Sequence, residues 1–276
     1  MENSRYPKYT FTWIGGLVLL AGLFIGTMSV SFFNLFWKIV FKENLELKEW
    51  YLMITNAVGF LTAIAFFDFF IVRPSTGKKL NFNFSTTNFY TYVLIFPMMI
   101  GMMFIAEFTT SLIPTTGPFW GEYYEFFSQL MNQLTFEPIM MIIMTVIMAP
   151  IFEEIIFRGI IQKGLMNKGV NPKRAIFYAS VIFGLVHGNP WQFVGAVLLG
   201  CVLGLVYYKT KSLLLPMLLH AFNNLCSSLL ITYTKNESFA EAFKIPEWVI
   251  LMVGIVLFSL FYYLFTKKYK VHYAEI

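Results

Sequence analysis

Three short stretches put polar chemistry inside runs that are otherwise apolar: Glu153-Glu154 followed by Arg158, His187 at the end of Phe183-Gly184-Leu185-Val186, and His220 with Asn224. An ionisable group in such a run is expensive and defaults to a functional role. On a helix, Glu154 and Arg158 are four apart and share a face. Glu153 lies about 140° around the axis from Arg158, at 100° per residue. Glu154 is therefore expected to pair with the guanidinium, while Glu153 points to another side. A carboxylate so placed suits general acid–base work near neutrality. Phe183 lies one turn behind His187 on the same face. His220 and Asn224 are about 40° apart, again one turn apart. An imidazole and an amide converging in an apolar helix must bond to each other, to water or to a ligand.

Each feature has a plainer alternative. Paired glutamates can mark the end of a span, and a lone histidine can be a satisfied polar residue. Asp68, Glu107 and Glu137 lie at or near span ends and read as ordinary interface residues. Two carboxylates, an arginine, two histidines and an amide on three helices form a far more specific set. A carboxylate can take a proton from water, and an imidazole can position that water. A second imidazole and an amide can donate to a developing oxyanion. That is peptide hydrolysis without a covalent intermediate. The same glutamate and histidines can instead ligate a divalent metal such as zinc. The sequence has neither a serine in a nucleophile elbow nor an HExxH pair.

The elements that carry these residues are membrane spans. Of 276 residues, 58% are hydrophobic and 13% charged, against roughly 45–50% and about 25% in soluble domains. Apolar runs near 11–36, 51–72, 89–108, 134–152, 175–186, 193–208, 213–231 and 249–265 predict about eight helices in an all-α, polytopic bundle. The fifth and sixth are short and meet at a His-Gly-Asn-Pro turn, which is tolerable where protein covers it. Alternating the spans from a cytoplasmic N-terminus leaves only Lys38, Lys42, Lys48, Lys235 and Lys244 outside, of 20 basic residues. Both termini are thus expected in the cytoplasm. The net charge of +5 belongs to span flanks and predicts no nucleic-acid partner. Cys201 and Cys226 read as packing residues. The chain divides into N-terminal helices (1–130), a catalytic core (131–232) and a last helix with a basic tail (233–276).

In order, Glu153-Glu154-x-x-x-Arg158, Phe183-x-x-x-His187 and His220-x-x-x-Asn224 resemble the three motifs of the CAAX prenyl protease 2 and bacteriocin-processing (CPBP, or Abi) family of intramembrane proteases, over about residues 134–232. The resemblance implies that Glu153 activates water, His187 is its partner, and His220 with Asn224 stabilises the oxyanion. It makes Glu154 and Arg158 structural, in agreement with the helical wheel. The substrate implied is a membrane-associated peptide or protein. The short loops point to a bacterial plasma membrane, and no cofactor is required in this reading. The site is expected near the cytoplasmic end of the fourth helix. Two other functions compete: a proton-coupled transporter, which also uses buried Glu and His, and a non-catalytic immunity or binding protein.

Overall fold

Why the chain is helical follows from its runs of Leu, Ile, Phe, Met and Val with few charges, which must satisfy every backbone N–H internally where no water reaches. The computed structural model describes residues 8–135, 138–234 and 238–268, and all of its regular elements are helical. Glu137 and Lys235 lie outside the described residues. The helices are α1 (Trp13–Phe41), α2 (Trp50–Thr76) and α3 (Phe89–Ser111). Next come α4 (Trp120–Thr135), α5 (Ile139–Asn167), α6 (Pro172–Leu185) and α7 (Pro190–Thr210). The chain continues through α8 (Leu214–Thr234), α9 (Phe239–Phe243) and α10 (Glu247–Lys267). Seven of these, α1, α2, α3, α5, α7, α8 and α10, are long and apolar enough to cross a membrane.

The remaining apolar run, the fifth (175–186), is α6. Its 14 residues extend about 21 Å at 1.5 Å per residue, short of a hydrocarbon core of about 30 Å. The fourth run also differs from expectation. Its apolar pattern stops at Phe152, before the charges, but α5 continues for fifteen more residues to Asn167. The charges do not end the helix because Glu154 and Arg158 neutralise each other on one face. Glu153 therefore sits midway along α5, not at its end. Two stretches of α5, Ile143–Met148 and Ile155–Gln162, are wound as π-helix, a form common at functional sites. The helix α4 has no counterpart among the expected spans.

Packing divides the chain into two units, residues 1–82 with 151–171 and residues 83–150 with 172–276. One of the boundaries between them falls within α5, after Pro150. In the first unit, α1 meets α2 at glycines: a Cβ on Gly22 would lie 2.7 Å from Ala63 Cα, and one on Gly26 would lie 2.8 Å from the Val58 carbonyl oxygen. Close backbone approach replaces hydrophobic driving force where the surroundings are apolar too. The segment before α1 lies along the second half of α5. There Phe11 occupies the space that a side chain on Gly164 would need, 2.7 Å away. Outward-facing Trp13, Phe24 and Phe32 are 63–75% exposed, which suits contact with lipid.

In the second unit, α3 is the central helix. Its Leu94, Ile95, Met98 and Met99 pack with Leu203 and Val206 of α7, Leu215 and Leu219 of α8, and Phe265 of α10, all at most 2% exposed. Gly101 lets α10 approach so closely that a Cβ there would fall 2.5 Å from Phe258 N. Lys209 of α7 donates to the Phe265 and Thr266 carbonyls, 3.1 Å each, where the last turn of a helix leaves carbonyls without intrahelical partners. Cys201 and Cys226 are unbridged and half-buried, as expected of packing residues.

Candidate functional site

In the first unit, α5 presents Glu153, Glu154 and Arg158. Arg158 Nη1 donates to Glu154 Oε1 at 2.7 Å, and the two side chains are 1% and 0% exposed. The i,i+4 pairing expected from spacing is present, joining the residue before the π-wound stretch to one inside it. Glu153, one residue earlier, is half-buried. The residue after Arg158 is Gly159, whose carbonyl accepts a hydrogen bond from the Tyr9 hydroxyl. Asn167 Nδ2 donates to the Tyr9 carbonyl at 2.8 Å, and Tyr9 is 2% exposed. A segment about 150 residues upstream thus fixes the backbone on which the ion pair is built.

The second unit carries His187, His220 and Asn224. Phe183 meets both imidazoles: its ring centroid is 5.0 Å from His187 at 90° and 5.6 Å from His220 at 83°. Its place in the second motif thus has a steric meaning, because one ring packs edge-on against both imidazoles. His187 Nδ1 lies 2.8 Å from the Phe183 carbonyl. A carbonyl only accepts, so Nδ1 carries a hydrogen, and in the neutral ring Nε2 holds the lone pair. The ring is consequently poised to accept a proton, or to bind a metal with its second nitrogen fixed by a backbone carbonyl.

Asn224 Nδ2 donates to the Thr145 carbonyl at 2.7 Å, in the first π-wound stretch of α5, and Asn223 Nδ2 donates to Asn224 Oδ1 at 3.0 Å. One of the two Asn224 N–H groups is therefore committed to backbone, and the other remains as the candidate oxyanion donor. Asn223 orients that amide.

Two other sequence candidates have structural roles. Asp68 pairs with Arg73 at 2.7 Å and accepts from Leu80 N at 2.6 Å. Glu107 accepts from Ser238 Oγ at 2.7 Å and Ala240 N at 3.0 Å, closing the start of α9. Within neither unit do three or more of the described His, Cys, Asp and Glu side chains gather as a metal cluster. The donors that zinc would need, Glu153 with His187 and His220, are divided between the two units.

Sequence reasoning missed the residues that hold the turn after His187. Tyr123 donates its hydroxyl to the Gly188 carbonyl. Asn189 caps α7 by accepting from Gln192 N at 2.8 Å, and its Nδ2 donates to the His187 carbonyl at 3.0 Å. The cap was legible, since Asn followed by Pro is a helix start signal. Tyr123 carried a weaker signal: Trp120, Tyr123, Tyr124 and Phe127 follow the i, i+3, i+4, i+7 pattern of a helix face.

A family model described as type II CAAX prenyl endopeptidase Rce1-like matches residues 135–226. That segment is similar to the Rce1-like family. It contains all three motifs, from Glu153 to Asn224. Over 85 residues, 31% of this chain, the sequence is 38% identical to a Bacillus subtilis (strain 168) protein named "Putative membrane peptidase YdiL". The match covers 34% of that relative, so the shared part spans about a third of its length. No solved structure matches the chain.

Proposed function

We propose that this chain is an intramembrane endopeptidase that cleaves a membrane-associated peptide or protein with water activated by Glu153. The observation that carries this reading is the placement of all three motifs inside the Rce1-like segment, the first and third on long apolar helices and the second at the end of α6. The structural employment of Asp68 and Glu107 adds support, because it removes them from competition. Glu153 takes a proton from water, and the hydroxide so formed attacks the peptide carbonyl carbon. His187, with its lone pair on Nε2, accepts a hydrogen bond from the O–H that the water keeps and so orients it. His220 and the uncommitted N–H of Asn224 donate to the oxyanion of the tetrahedral intermediate. The carbon–nitrogen bond then breaks, and the departing amine takes the proton from Glu153. A divalent metal held by Glu153 and the two histidines would supply Lewis-acid activation of the same water.

The protein works, on this reading, as a multi-pass protein of a bacterial plasma membrane with both termini cytoplasmic. Seven full spans alone would leave the termini on opposite sides, so α6 and its turn must complete the eighth crossing. Cysteines placed at Lys78, Thr116 and Lys267 should react from the inside, outside and inside respectively. Labelling of Thr116 and Lys267 from one side would refute the orientation.

Purified protein in liposomes, supplied with a library of quenched-fluorescence membrane peptides, tests the chemistry. Glu153→Gln keeps size and hydrogen bonding but cannot hold the proton, and should lower turnover about 10²–10⁴-fold with the fold intact. Wild-type cleavage by Glu153→Gln would end the proposal. Activity lost on chelation and restored by one equivalent of zinc would assign Glu153 and the histidines to the metal.

A further inference from the structure

The chemistry of His187 depends on one hydrogen bond, from its Nδ1 to the Phe183 carbonyl. That bond joins the ring to the last turn of α6, so its survival depends on how the chain leaves the helix. The exit is abrupt. His187 N donates to Gly184 O and Gly188 N to Leu185 O, both at 3.1 Å, a tightened last turn. Gly188 then adopts φ +70°, in the left-handed region that side chains with a Cβ avoid. A turn of this kind, two residues ahead of Pro190, has little regular hydrogen bonding to hold it.

Three groups brace it from outside. The Tyr123 hydroxyl takes the Gly188 carbonyl, and Asn189 Nδ2 takes the His187 carbonyl at 3.0 Å. Behind them, Trp191 is 6% exposed and is surrounded by rings from one face of α4. Ring centroids of Tyr124, Tyr123 and Phe127 lie 4.9, 5.4 and 5.7 Å from Trp191. Tyr123 thus packs on Trp191 with its ring and holds Gly188 with its hydroxyl, both partners following closely on His187 in the chain. The hydroxyl is not needed for the packing, because Phe127 does the same without one.

We infer that Tyr123 is a positioning residue for His187, holding the turn that keeps the imidazole in the Nδ1–H form with its lone pair on Nε2. The catalytic consequence rests on the endopeptidase reading; the structural one does not. On this inference α4 is the splint for the histidine-bearing turn.

The full chain in lipid vesicles, labelled with ¹⁵N-histidine, separates the two. The chain has three histidines, and His187→Ala identifies the His187 signals. Wild type should show one tautomer protonated at Nδ1. Tyr123→Phe, which deletes only the hydroxyl, should give mixed or exchange-broadened His187 tautomers, with His220 signals and melting temperature unchanged. Its kcat on a cleaved peptide should fall about tenfold with KM unchanged, the scale of one lost hydrogen bond. Asn189→Asp retains the acceptor that caps α7 but loses the donor to His187, and should disturb the same signals. Phe126→Ala, 65% exposed on the same helix, should change nothing. Unchanged His187 signals in Tyr123→Phe would overturn the inference, even if activity fell. Altered signals in a protein that cleaves no peptide would leave the positioning role standing and defeat the endopeptidase reading.

Discussion

The two units hold their motif residues by different physics. The first buries charge, with Glu154 and Arg158 at 0% and 1% exposure and 2.7 Å apart on one helix. The second holds two imidazoles and an amide, which Phe183, Thr145, Asn223 and Asn189 meet through carbonyls, amides and ring edges. A charge in an apolar helix must be cancelled at once, and the nearest partner is one turn away. A neutral polar group tolerates a partner from anywhere in the fold, provided its hydrogen bonds are met. Both units do share one device. A tyrosine hydroxyl from a distant segment takes the carbonyl of the glycine that follows a motif residue, Tyr9 on Gly159 and Tyr123 on Gly188.

The sharpest way to break this contrast is to unpair the charge. Arg158→Ala leaves Glu154 buried beside a lost cation and should cost about 3–5 kcal/mol. The readout is the folded fraction in detergent by thermal melting, with an unchanged melting temperature as the contrary result. Replacing both residues with apolar ones of similar volume, Glu154→Leu with Arg158→Met, should recover much of that loss, because a buried ion pair contributes little net stability. If the double variant is as unstable as the single, the pair does more than neutralise.

Helix contact gives an intermediate effect that should be alike in both units. Gly26→Val and Gly101→Val each drive a side chain into neighbouring backbone, 2.8 and 2.5 Å from the first atom met. Each should cost about 1–3 kcal/mol by overpacking, read from denaturation in mixed micelles. A neutral Gly101→Val would remove close backbone approach as the reason α10 seats on α3.

The tyrosines give the smallest effect and the finest distinction. Tyr9 bonds Gly159 in a buried setting, whereas the Tyr123 bond is exposed. Tyr9→Phe should therefore lower stability by about 1 kcal/mol, while Tyr123→Phe should leave stability alone and alter His187. Equal melting temperatures for the two variants would show that both bonds belong to the same class.

The same contrast explains what could be read without coordinates. The charge pair was legible because its partners are four residues apart. The spans were legible because length and apolar content suffice. The end of α5 was misplaced, since a rule that stops a span at charges does not foresee that the pair will cancel them. Glu107 looked ionisable and unassigned in sequence; its partners Ser238 and Ala240 lie more than 130 residues away.

By itself the sequence determined an all-α chain of apolar helices, the three motifs and the pairing of Glu154 with Arg158, because each is set by composition or by neighbours within one helical turn. Only the tertiary structure decided that Glu153 sits midway along its helix, that the Phe183 ring meets both His187 and His220, and that Asn224 spends one donor on Thr145. It alone brought Tyr9 to Gly159 and Tyr123 to Gly188. The reason is that a hydrogen bond between distant segments leaves no periodicity in the chain: it is fixed by where packed helices place a hydroxyl, and not by any spacing along the backbone.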